Sequence, residues 1–121
     1  MAKILIAEDD AKSRDLLSQR LEGWGYQVVT ACDGAEALER TEREDFDLIL
    51  TDWMMPRLTG IELCETLKGS EGTEHIPMIM LSTKKTQADV AKAYESGFDD
   101  FIAKPFAQSD LEARVSKALL K

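Results

Sequence analysis

Cysteine, proline and histidine are scarce in this sequence, which contains two, three and one of them. The cysteines, Cys32 and Cys64, lack the C-x-x-C spacing of metal and redox motifs. We therefore expect two reduced, buried thiols, as is typical of a cytoplasmic protein.

Basic residues and long apolar runs are also in short supply. Lysine and arginine together number 15 against 23 acidic residues, and the net charge is −8. This balance argues against direct nucleic-acid binding by this domain and against binding to an anionic membrane surface, because both need a basic patch. No apolar run approaches the ~20 residues of a membrane span. The start, "MAKILIAEDD", has no long apolar segment of a secretory signal.

The composition that remains is that of an ordinary globular protein, with 44% apolar and 31% charged residues. A length of 121 residues suits one domain with one core, so we expect a single domain over residues 1–121. The sequence contains no internal repeat, linker or low-complexity segment.

Short apolar runs alternate with longer segments of helical periodicity. The predicted strands are residues 3–7, 26–31, 47–51, 77–82 and 100–103. The predicted helices are residues 11–24, 34–44, 60–68, 86–96 and 109–120. The first, third and fourth strands are apolar on both faces, as in a parallel sheet covered by helices on both sides. With right-handed crossovers, this pattern predicts an α/β fold, a flavodoxin-like (βα)5 doubly wound sandwich. For its strand order we take 2-1-3-4-5, which is one of the two common solutions.

Helix termini support this assignment. A capping-box pattern, or its Asp variant, marks the start of three helices, and a weaker version marks a fourth. The three pairs are Asp33 with Glu36, Thr59 with Glu62 and Ser109 with Glu112, and the weaker pair is Thr86 with Asp89. We expect Gly25 and Gly97 to end the first and fourth helices.

Acidic residues follow two of the predicted strands. Glu8, Asp9 and Asp10 come directly after the first strand, and Asp52 follows the third. In such sheets the ligand crevice lies beyond the carboxyl ends of the strands, where the strand order reverses. Carboxylates that share this rim repel one another, and a hard divalent cation relieves the repulsion. The sequence therefore predicts a site for Mg²⁺, or Mn²⁺ in its place, with Asp52 as one of the carboxylates.

Two further polar residues are expected at the same rim, Ser82 at the end of the fourth strand and Lys104 after the fifth. A metal ion, an ammonium and a hydroxyl would together match three oxygens of a tetrahedral dianion. This combination predicts a phosphoryl site with a carboxylate nucleophile, as in aspartyl-phosphate chemistry. The second strand ends in "ACDG", which we expect at the outer edge of the sheet, away from the site.

With these residues in place, the sequence resembles the receiver domain of two-component response regulators over essentially its whole length. The matching stretches are "ILIAEDD", "DLILTDWMMPRLTG", "IPMIMLST" and "SGFDDFIAKPF". Each stretch is modest evidence alone, but their order and spacing together are highly specific.

The resemblance implies roles for the rim residues. Asp52 would be the phosphoacceptor, and Lys104 would bind the phosphate. Asp9 would bind Mg²⁺ directly and Glu8 through water. The backbone carbonyl of Met54 would be the remaining protein ligand of the cation.

The resemblance also implies a conformational switch. Ser82 would be the switch hydroxyl, Phe101 the aromatic switch residue, and Pro105 would follow a cis peptide bond. We further expect Asp10 to cap the first helix rather than to bind the metal. Trp53 is expected to form a partly exposed wall of the site.

The function implied by the resemblance is phosphorelay signalling. A sensor histidine kinase or a phosphotransfer protein would donate a phosphoryl group from phosphohistidine to Asp52 in a Mg²⁺-dependent reaction. Ser82 and Phe101 would then shift, and the surface of helix 4, strand 5 and helix 5 would change its preference for an effector domain or protein. Such a domain catalyses only its own phosphorylation and dephosphorylation and is not a turnover enzyme.

Three other functions are compatible with the fold. A phosphorylation-independent interaction module usually lacks part of the acidic set or the lysine, and this chain has both. A flavodoxin-type FMN carrier would need a Ser/Thr/Gly-rich phosphate loop after the first strand. This chain has "EDD" there, and these acids would repel the FMN phosphate. An aspartate-nucleophile phosphatase would need a second acid at the position of Met54. The phosphorylation-independent module is kept as the alternative.

Two arrangements of the native protein stay open, a stand-alone receiver and a receiver within a longer regulator. The stretch "DDFIAKPFAQSDLEARVSKALL" resembles the end of receivers that precede winged-helix DNA-binding domains. Those receivers tend to dimerise through helix 4, strand 5 and helix 5 when they are phosphorylated. A phosphorylation-dependent homodimer is therefore a hypothesis for this chain.

Overall fold

Five strands and five helices alternate along residues 1–120, which are the residues described by the computed structural model. The strands are β1 (Lys3–Ala7), β2 (Gln27–Ala31), β3 (Leu48–Asp52), β4 (Met78–Ser82) and β5 (Asp100–Ala103). The helices are α1 (Ala11–Gly23), α2 (Gly34–Arg43), α3 (Gly60–Lys68), α4 (Gln87–Ser96) and α5 (Gln108–Leu119). None of these helices combines the length and the apolar composition that crossing a bilayer requires.

The strands form one parallel sheet in the order β2-β1-β3-β4-β5, which confirms the predicted α/β fold and strand order. The sheet register aligns the last residues of neighbouring strands. The aligned pairs are Ala7 with Thr51, Asp52 with Leu81, and Ser82 with Ala103. The carboxyl ends of β1, β3, β4 and β5 therefore form one rim, and β2 lies outside it at the edge.

The sheet divides the core into two layers. Because successive strand side chains point to opposite faces, Ile4 and Ile6 belong to the cluster that includes helices α1 and α5. Leu5 and Ala7 belong to the other cluster, which includes helices α2, α3 and α4. All of β4 is buried, and so is β3 up to Asp52, as expected for strands covered on both faces.

Side-chain caps begin three helices where the sequence predicts them. Thr59 forms the predicted capping box of α3, and Thr86 forms a complete box at α4, although its pattern was the weaker one. At α2 the Asp33 carboxylate accepts from the Glu36 N–H at 2.8 Å. The Glu36 carboxylate accepts a hydrogen bond from the N–H of Cys32 rather than from that of Asp33, so this capping box is only half formed.

The predicted capping box of Ser109 is wrong. Helix α5 begins at Gln108, so Ser109 already lies inside the first turn. The N-cap is Ala107, which has no side-chain cap bond. A capping residue must have an extended backbone outside the helix, and Ser109 lies two residues after the N-cap, within the helix.

Glycines end two helices with a left-handed backbone. Gly97 is the C-cap of α4, with φ of +114°. Gly25, with φ of +94°, lies one residue beyond Trp24, the C-cap of α1. This conformation suits glycine and turns the chain sharply toward the next strand.

The expectation of two buried cysteines is half wrong. Cys64, on α3, is buried, but Cys32 is exposed, and both thiols are free. Cys32 follows β2, which is an edge strand, so its surroundings are covered less completely than those of a central strand. Burial raises the pKa of the Cys64 thiol to about 12, so that thiol stays protonated at neutral pH.

Close contact between α3 and the end of β3 makes Gly60 sensitive to substitution. A Cβ added at Gly60 would lie 2.2 Å from the carbonyl oxygen of Asp52. We predict that Gly60→Ala lowers the free energy of unfolding by about 2 kcal/mol, because backbone on both sides resists displacement. Urea unfolding followed by circular dichroism measures this change.

The matched control for that prediction is Gly23→Ala at the end of α1. A Cβ there meets no atom within 4 Å. Alanine is the better helix former, so Gly23→Ala should raise the free energy of unfolding by ~0.5–1 kcal/mol. Equal losses in the two variants would contradict the steric explanation.

Candidate functional site

Three carboxylates meet at the carboxyl ends of β1 and β3. Glu8, Asp9 and Asp52 each place one carboxylate oxygen within 4.8 Å of the others. Glu8 is buried, Asp52 is half-buried, and Asp9 is exposed. The structure therefore brings together the acids that the sequence placed at one rim.

Lys104 reaches this acidic cluster from the end of β5. Its ammonium donates a hydrogen bond to Glu8 Oε1 at 2.8 Å and lies 3.6 Å from Asp52 Oδ1. The backbone N–H of Lys104 donates to the carbonyl of Ser82, which ties the end of β5 to the end of β4. The peptide bond from Lys104 to Pro105 is cis, as the sequence resemblance implies.

The two carboxylates that share Lys104 differ in their affinity for protons. Burial is the main cause that raises the pKa of Asp52 to about 6, and the neighbouring Glu8 charge adds to it against the opposing charge of Lys104. Burial also disfavours ionised Glu8, but the hydrogen bond and charge of Lys104 outweigh it and lower the pKa of Glu8. Because Lys104 donates its hydrogen bond to Glu8, Glu8 stays ionised, and the negative charge of Glu8 makes ionisation of Asp52 less favourable.

Local contacts hold the acidic loop between β1 and α1. Asp10 is the N-cap of α1, and its carboxylate accepts from the Ser13 N–H at 2.9 Å, which confirms its expected capping role. The Asp10 N–H donates to Glu8 Oε2 at 3.2 Å. Arg14 Nη1 donates to the Glu8 carbonyl at 2.9 Å. The Glu8 side chain and backbone are therefore both fixed.

Ser82 and Phe101 lie on the neighbouring strands β4 and β5. Ser82 is buried at the last position of β4, and its hydroxyl oxygen accepts from the Lys84 N–H at 2.9 Å. Phe101, on β5, is buried in the layer of α2, α3 and α4. The Ser82 hydroxyl proton is not used in that bond, so it is free to donate to a ligand at the rim.

Trp53 is not the partly exposed wall that the sequence predicted. Its side chain is buried in the core cluster of α2, α3 and α4. The Lys84 ammonium lies 5.2 Å from the Trp53 ring centroid, within cation–π distance. Lys84 thus covers the ring, an arrangement that the position of Trp53 next to Asp52 does not reveal.

The β3–α3 loop (residues 53–59) has a partner that sequence reasoning missed. Arg57 in this loop pairs with Asp33, at the end of the β2 edge that the sequence marked as featureless. Arg57 has a positive φ of +69°, which is uncommon for a residue other than glycine, but a sequence does not show φ angles. Met54, in the same loop, has an exposed side chain.

The donor set of the acidic cluster suits a hard divalent cation. All three side chains offer carboxylate oxygens, which Mg²⁺ and Mn²⁺ prefer. Lys104 neutralises only part of their charge, so an added cation would gain further favourable interactions. The chemistry of the described residues therefore fits the metal that the sequence predicted.

Comparisons with known proteins agree with this geometry. The family model for the response regulator receiver domain matches residues 4–116. Among curated relatives, the alkaline phosphatase synthesis transcriptional regulatory protein PhoP of Bacillus subtilis (strain 168) is 42% identical over 119 residues. The match covers 98% of this chain and 48% of PhoP, so the chain spans about half the length of that relative.

Solved structures give the same result. The signal receiver domain of a signal transduction histidine kinase from Syntrophus aciditrophicus superposes with a TM-score of 0.93 at 36% identity, covering 99% of this chain and 91% of the other. The receiver domain of a sensor histidine kinase from Pseudomonas aeruginosa PAO1 has a TM-score of 0.92 at 28% identity, with 99% and 98% coverage. That second domain was solved with a magnesium ion coordinated in its active-site cleft.

Removal of the Lys104 charge should destabilise the protein without added cation. Lys104→Met leaves the buried Glu8 carboxylate without its cation and the cluster without its internal counter-charge. The Lys104 side chain is 23% exposed. We therefore predict a loss of about 2 kcal/mol in the free energy of unfolding at pH 7, below the ~3–5 kcal/mol of a fully buried pair.

Urea unfolding in the presence of a chelator measures this loss. The control is Lys12→Met, which removes the same charge from an exposed position on α1. The control should change the free energy of unfolding by less than about 0.5 kcal/mol. A similar loss in both variants would mean that Lys104 does not offset the carboxylate repulsion.

Proposed function

The chain belongs to the response regulator receiver domain family, and we propose that its function is to accept a phosphoryl group on Asp52. As a receiver domain it is a component of two-component signalling. The proposed donor is a sensor histidine kinase or a phosphotransfer protein. We propose that residues 1–121 form one such domain.

One observation carries this proposal. The carboxylate of Asp52 lies in the same cluster as those of Glu8 and Asp9, and the Lys104 ammonium is 3.6 Å from its oxygen. A carboxylate in this setting is accessible at the rim and has cationic charge beside it. These are the properties that a nucleophile for phosphoryl transfer needs.

The proposed reaction is a displacement at phosphorus. A carboxylate oxygen of Asp52 forms a bond to the phosphorus of phosphohistidine as the P–N bond breaks. The electron pair of the broken bond stays on the imidazole nitrogen of the donor. Lys104 exchanges its hydrogen bond to Glu8 for one to a phosphoryl oxygen and so stabilises the negative charge of the transferring group.

Mg²⁺ is the proposed cofactor, with Mn²⁺ as a substitute. Glu8, Asp9, Asp52 and the backbone carbonyl of Met54 would hold it. When bound, the cation supplies positive charge next to the carboxylates and the phosphoryl oxygens. The magnesium ion in the cleft of the Pseudomonas aeruginosa receiver domain supports this assignment.

The proposed output is a shift between two conformations. In the phosphorylated state Ser82 donates its hydroxyl proton to a phosphoryl oxygen, and Phe101 moves into the space that Ser82 leaves. Phe101 has no hydroxyl, so its inward position depends on packing alone. The surface formed by α4, β5 and α5 then changes its affinity for an effector domain or protein.

A regulator of this kind is not a turnover enzyme on a separate substrate. It promotes only the phosphorylation and dephosphorylation of its own Asp52. We also propose a cytoplasmic location. The free thiols of Cys32 and Cys64 support it, because free thiols are typical of a reducing compartment.

The first test is intact mass after incubation with acetyl phosphate. We predict a gain of one phosphoryl group that requires Mg²⁺ and is absent in Asp52→Asn. Asp45→Asn is the matched control, because it removes an exposed acid three residues before β3 begins and should be phosphorylated like the parent chain.

The outcomes separate the proposal from its alternative. No mass gain with intact Mg²⁺ binding would favour a phosphorylation-independent interaction module. A gain that persists in Asp52→Asn would place the acceptor on another residue.

A phosphorylation-dependent homodimer is a further part of the proposal. The surface of α4, β5 and α5 exposes Tyr94 and carries Arg114, which pairs with Asp100 and Asp110. Such ionic side chains can exchange partners with a second copy.

Sedimentation velocity checks this prediction. The beryllofluoride-bound chain with Mg²⁺ should sediment as a dimer at concentrations where the untreated chain is monomeric. Arg114→Ala should weaken the dimer at least tenfold, as expected for an interface anchor. A strictly monomeric beryllofluoride-bound chain would contradict the homodimer.

A further inference from the structure

The Asp33–Arg57 pair joins two loops that are distant in sequence. Arg57 Nε donates to Asp33 Oδ2, and Arg57 Nη2 donates to Asp33 Oδ1, both at 3.0 Å. Paired bonds between a guanidinium and a carboxylate fix orientation as well as distance. The Asp33 side chain is 9% exposed and that of Arg57 is 61% exposed, so a fixed carboxylate holds a surface arginine.

Asp33 is itself anchored to the start of α2. Its carboxylate accepts from the Glu36 N–H at 2.8 Å as the N-cap of that helix. The next residue, Gly34, touches the β3–α3 loop directly, since a Cβ there would lie 2.2 Å from the carbonyl oxygen of Leu58. The start of α2 is therefore a rigid platform against which the loop rests.

The loop is also closed at its base. The Gly60 N–H donates to the Trp53 carbonyl at 2.8 Å. Met54 lies between this base and the Arg57 anchor, and its own side chain is 60% exposed. The Met54 side chain is therefore not packed into the core, and the backbone of Met54 is held by its neighbours: the Trp53–Gly60 bond, the buried side chain of Met55 and the Arg57 anchor.

Arg57 adopts a backbone conformation that only surrounding contacts can hold. Its φ of +69° lies in the left-handed region, which is uncommon for residues other than glycine. Such a conformation persists when neighbouring contacts compensate for it. Two contacts at Arg57 do so: the paired bonds to Asp33, and the hydrogen bond across Arg57 from the Leu58 N–H to the Pro56 carbonyl at 2.8 Å.

We propose that the Asp33–Arg57 pair is a positioning device that fixes the β3–α3 loop, and with it the Met54 carbonyl, for binding a divalent cation. This inference rests on the proposed function, because it takes the Met54 carbonyl as a cation ligand. Asp33 and Arg57 act through the loop backbone and do not contact the cation themselves. Loss of the pair lets the carbonyl move, so the cation loses one well-placed oxygen.

Arg57→Gly tests the ion pair without adding backbone strain, because glycine adopts a positive φ readily. We predict that the Mg²⁺ dissociation constant rises about tenfold, the scale seen when groups that orient metal ligands are removed. Isothermal titration calorimetry on the full chain with MgCl₂ measures it. Loss of a nearby positive charge would by itself tighten cation binding, so the predicted weakening has the opposite sign to a simple charge effect.

Asp33→Asn tests the other partner. Asparagine keeps a capping oxygen for the Glu36 N–H but loses the charge that holds the guanidinium. The two variants should weaken Mg²⁺ binding to a similar degree, and the double variant should be little weaker than either, because each removes the same interaction. Arg43→Ala is the control, since it removes an exposed arginine at the end of α2 and should leave the dissociation constant unchanged.

A second readout follows the loop itself. Without cation, amide hydrogen exchange in residues 53–59 should be faster in Arg57→Gly, while exchange in β3 and β4 stays the same. A purely structural role would lower the melting temperature without changing the Mg²⁺ affinity of the folded protein. The combination of weaker affinity and local loop opening is specific to a positioning role.

The possible results separate this inference from the proposed function. If the parent chain binds Mg²⁺ and both variants bind it with the same dissociation constant, the positioning role is overturned and the phosphoacceptor function stands. If additive losses appear in the double variant, the two residues do not act as a pair. If the parent chain neither binds Mg²⁺ nor gains a phosphoryl group, both proposals are overturned.

Discussion

Repulsion between three carboxylates at one rim of the sheet is the constraint on which the rest of the arrangement depends. Lys104 offsets it unevenly, since its ammonium bonds Glu8 at 2.8 Å and lies 3.6 Å from Asp52. Glu8 is therefore ionised in spite of burial, whereas burial together with the Glu8 charge raises the pKa of Asp52 to about 6. Asp52 is the group that gains most from any further positive charge brought to the rim. A divalent cation bound by the three carboxylates would supply that charge.

The fold holds this unfavourable arrangement in place through the register of the sheet and through side-chain contacts to the two neighbouring loops. The parallel register brings the ends of four strands to one rim. The Asp10 cap and the Arg14 bond to the Glu8 carbonyl hold the acidic loop from the side of α1. The Asp33–Arg57 pair holds the β3–α3 loop from the side of α2. Carboxylate crowding is tolerated because Asp52 is fixed in β3 and the loop that carries Glu8 and Asp9 is held, so the acids cannot move apart.

Much of the fold follows from patterns that are local in the chain. The apolar runs and the Thr59 and Thr86 caps predicted all ten elements, and their ends agree with the structure to within one residue. The Ser109 cap was wrong because the pattern that Ser109 forms with Glu112 does not show where the backbone first becomes helical. The predictions that Cys32 is buried and that Trp53 is partly exposed were wrong, because burial depends on what packs against a residue from elsewhere in the chain.

By itself, the sequence determined the order of elements and the identity of the charged residues at the rim, since periodicity and strand ends are local features and parallel strands end on one side. For the strand order it favoured one of two common solutions, and the structure shows that one. Only the tertiary structure decided which charges pair. Lys104 bonds Glu8 more closely than Asp52, and Arg57 reaches across to Asp33. These pairings depend on loop paths and on close backbone contacts such as that of Gly34 with Leu58. Distances of a few ångströms between residues far apart in sequence are set by packing of the whole chain, which no single stretch encodes.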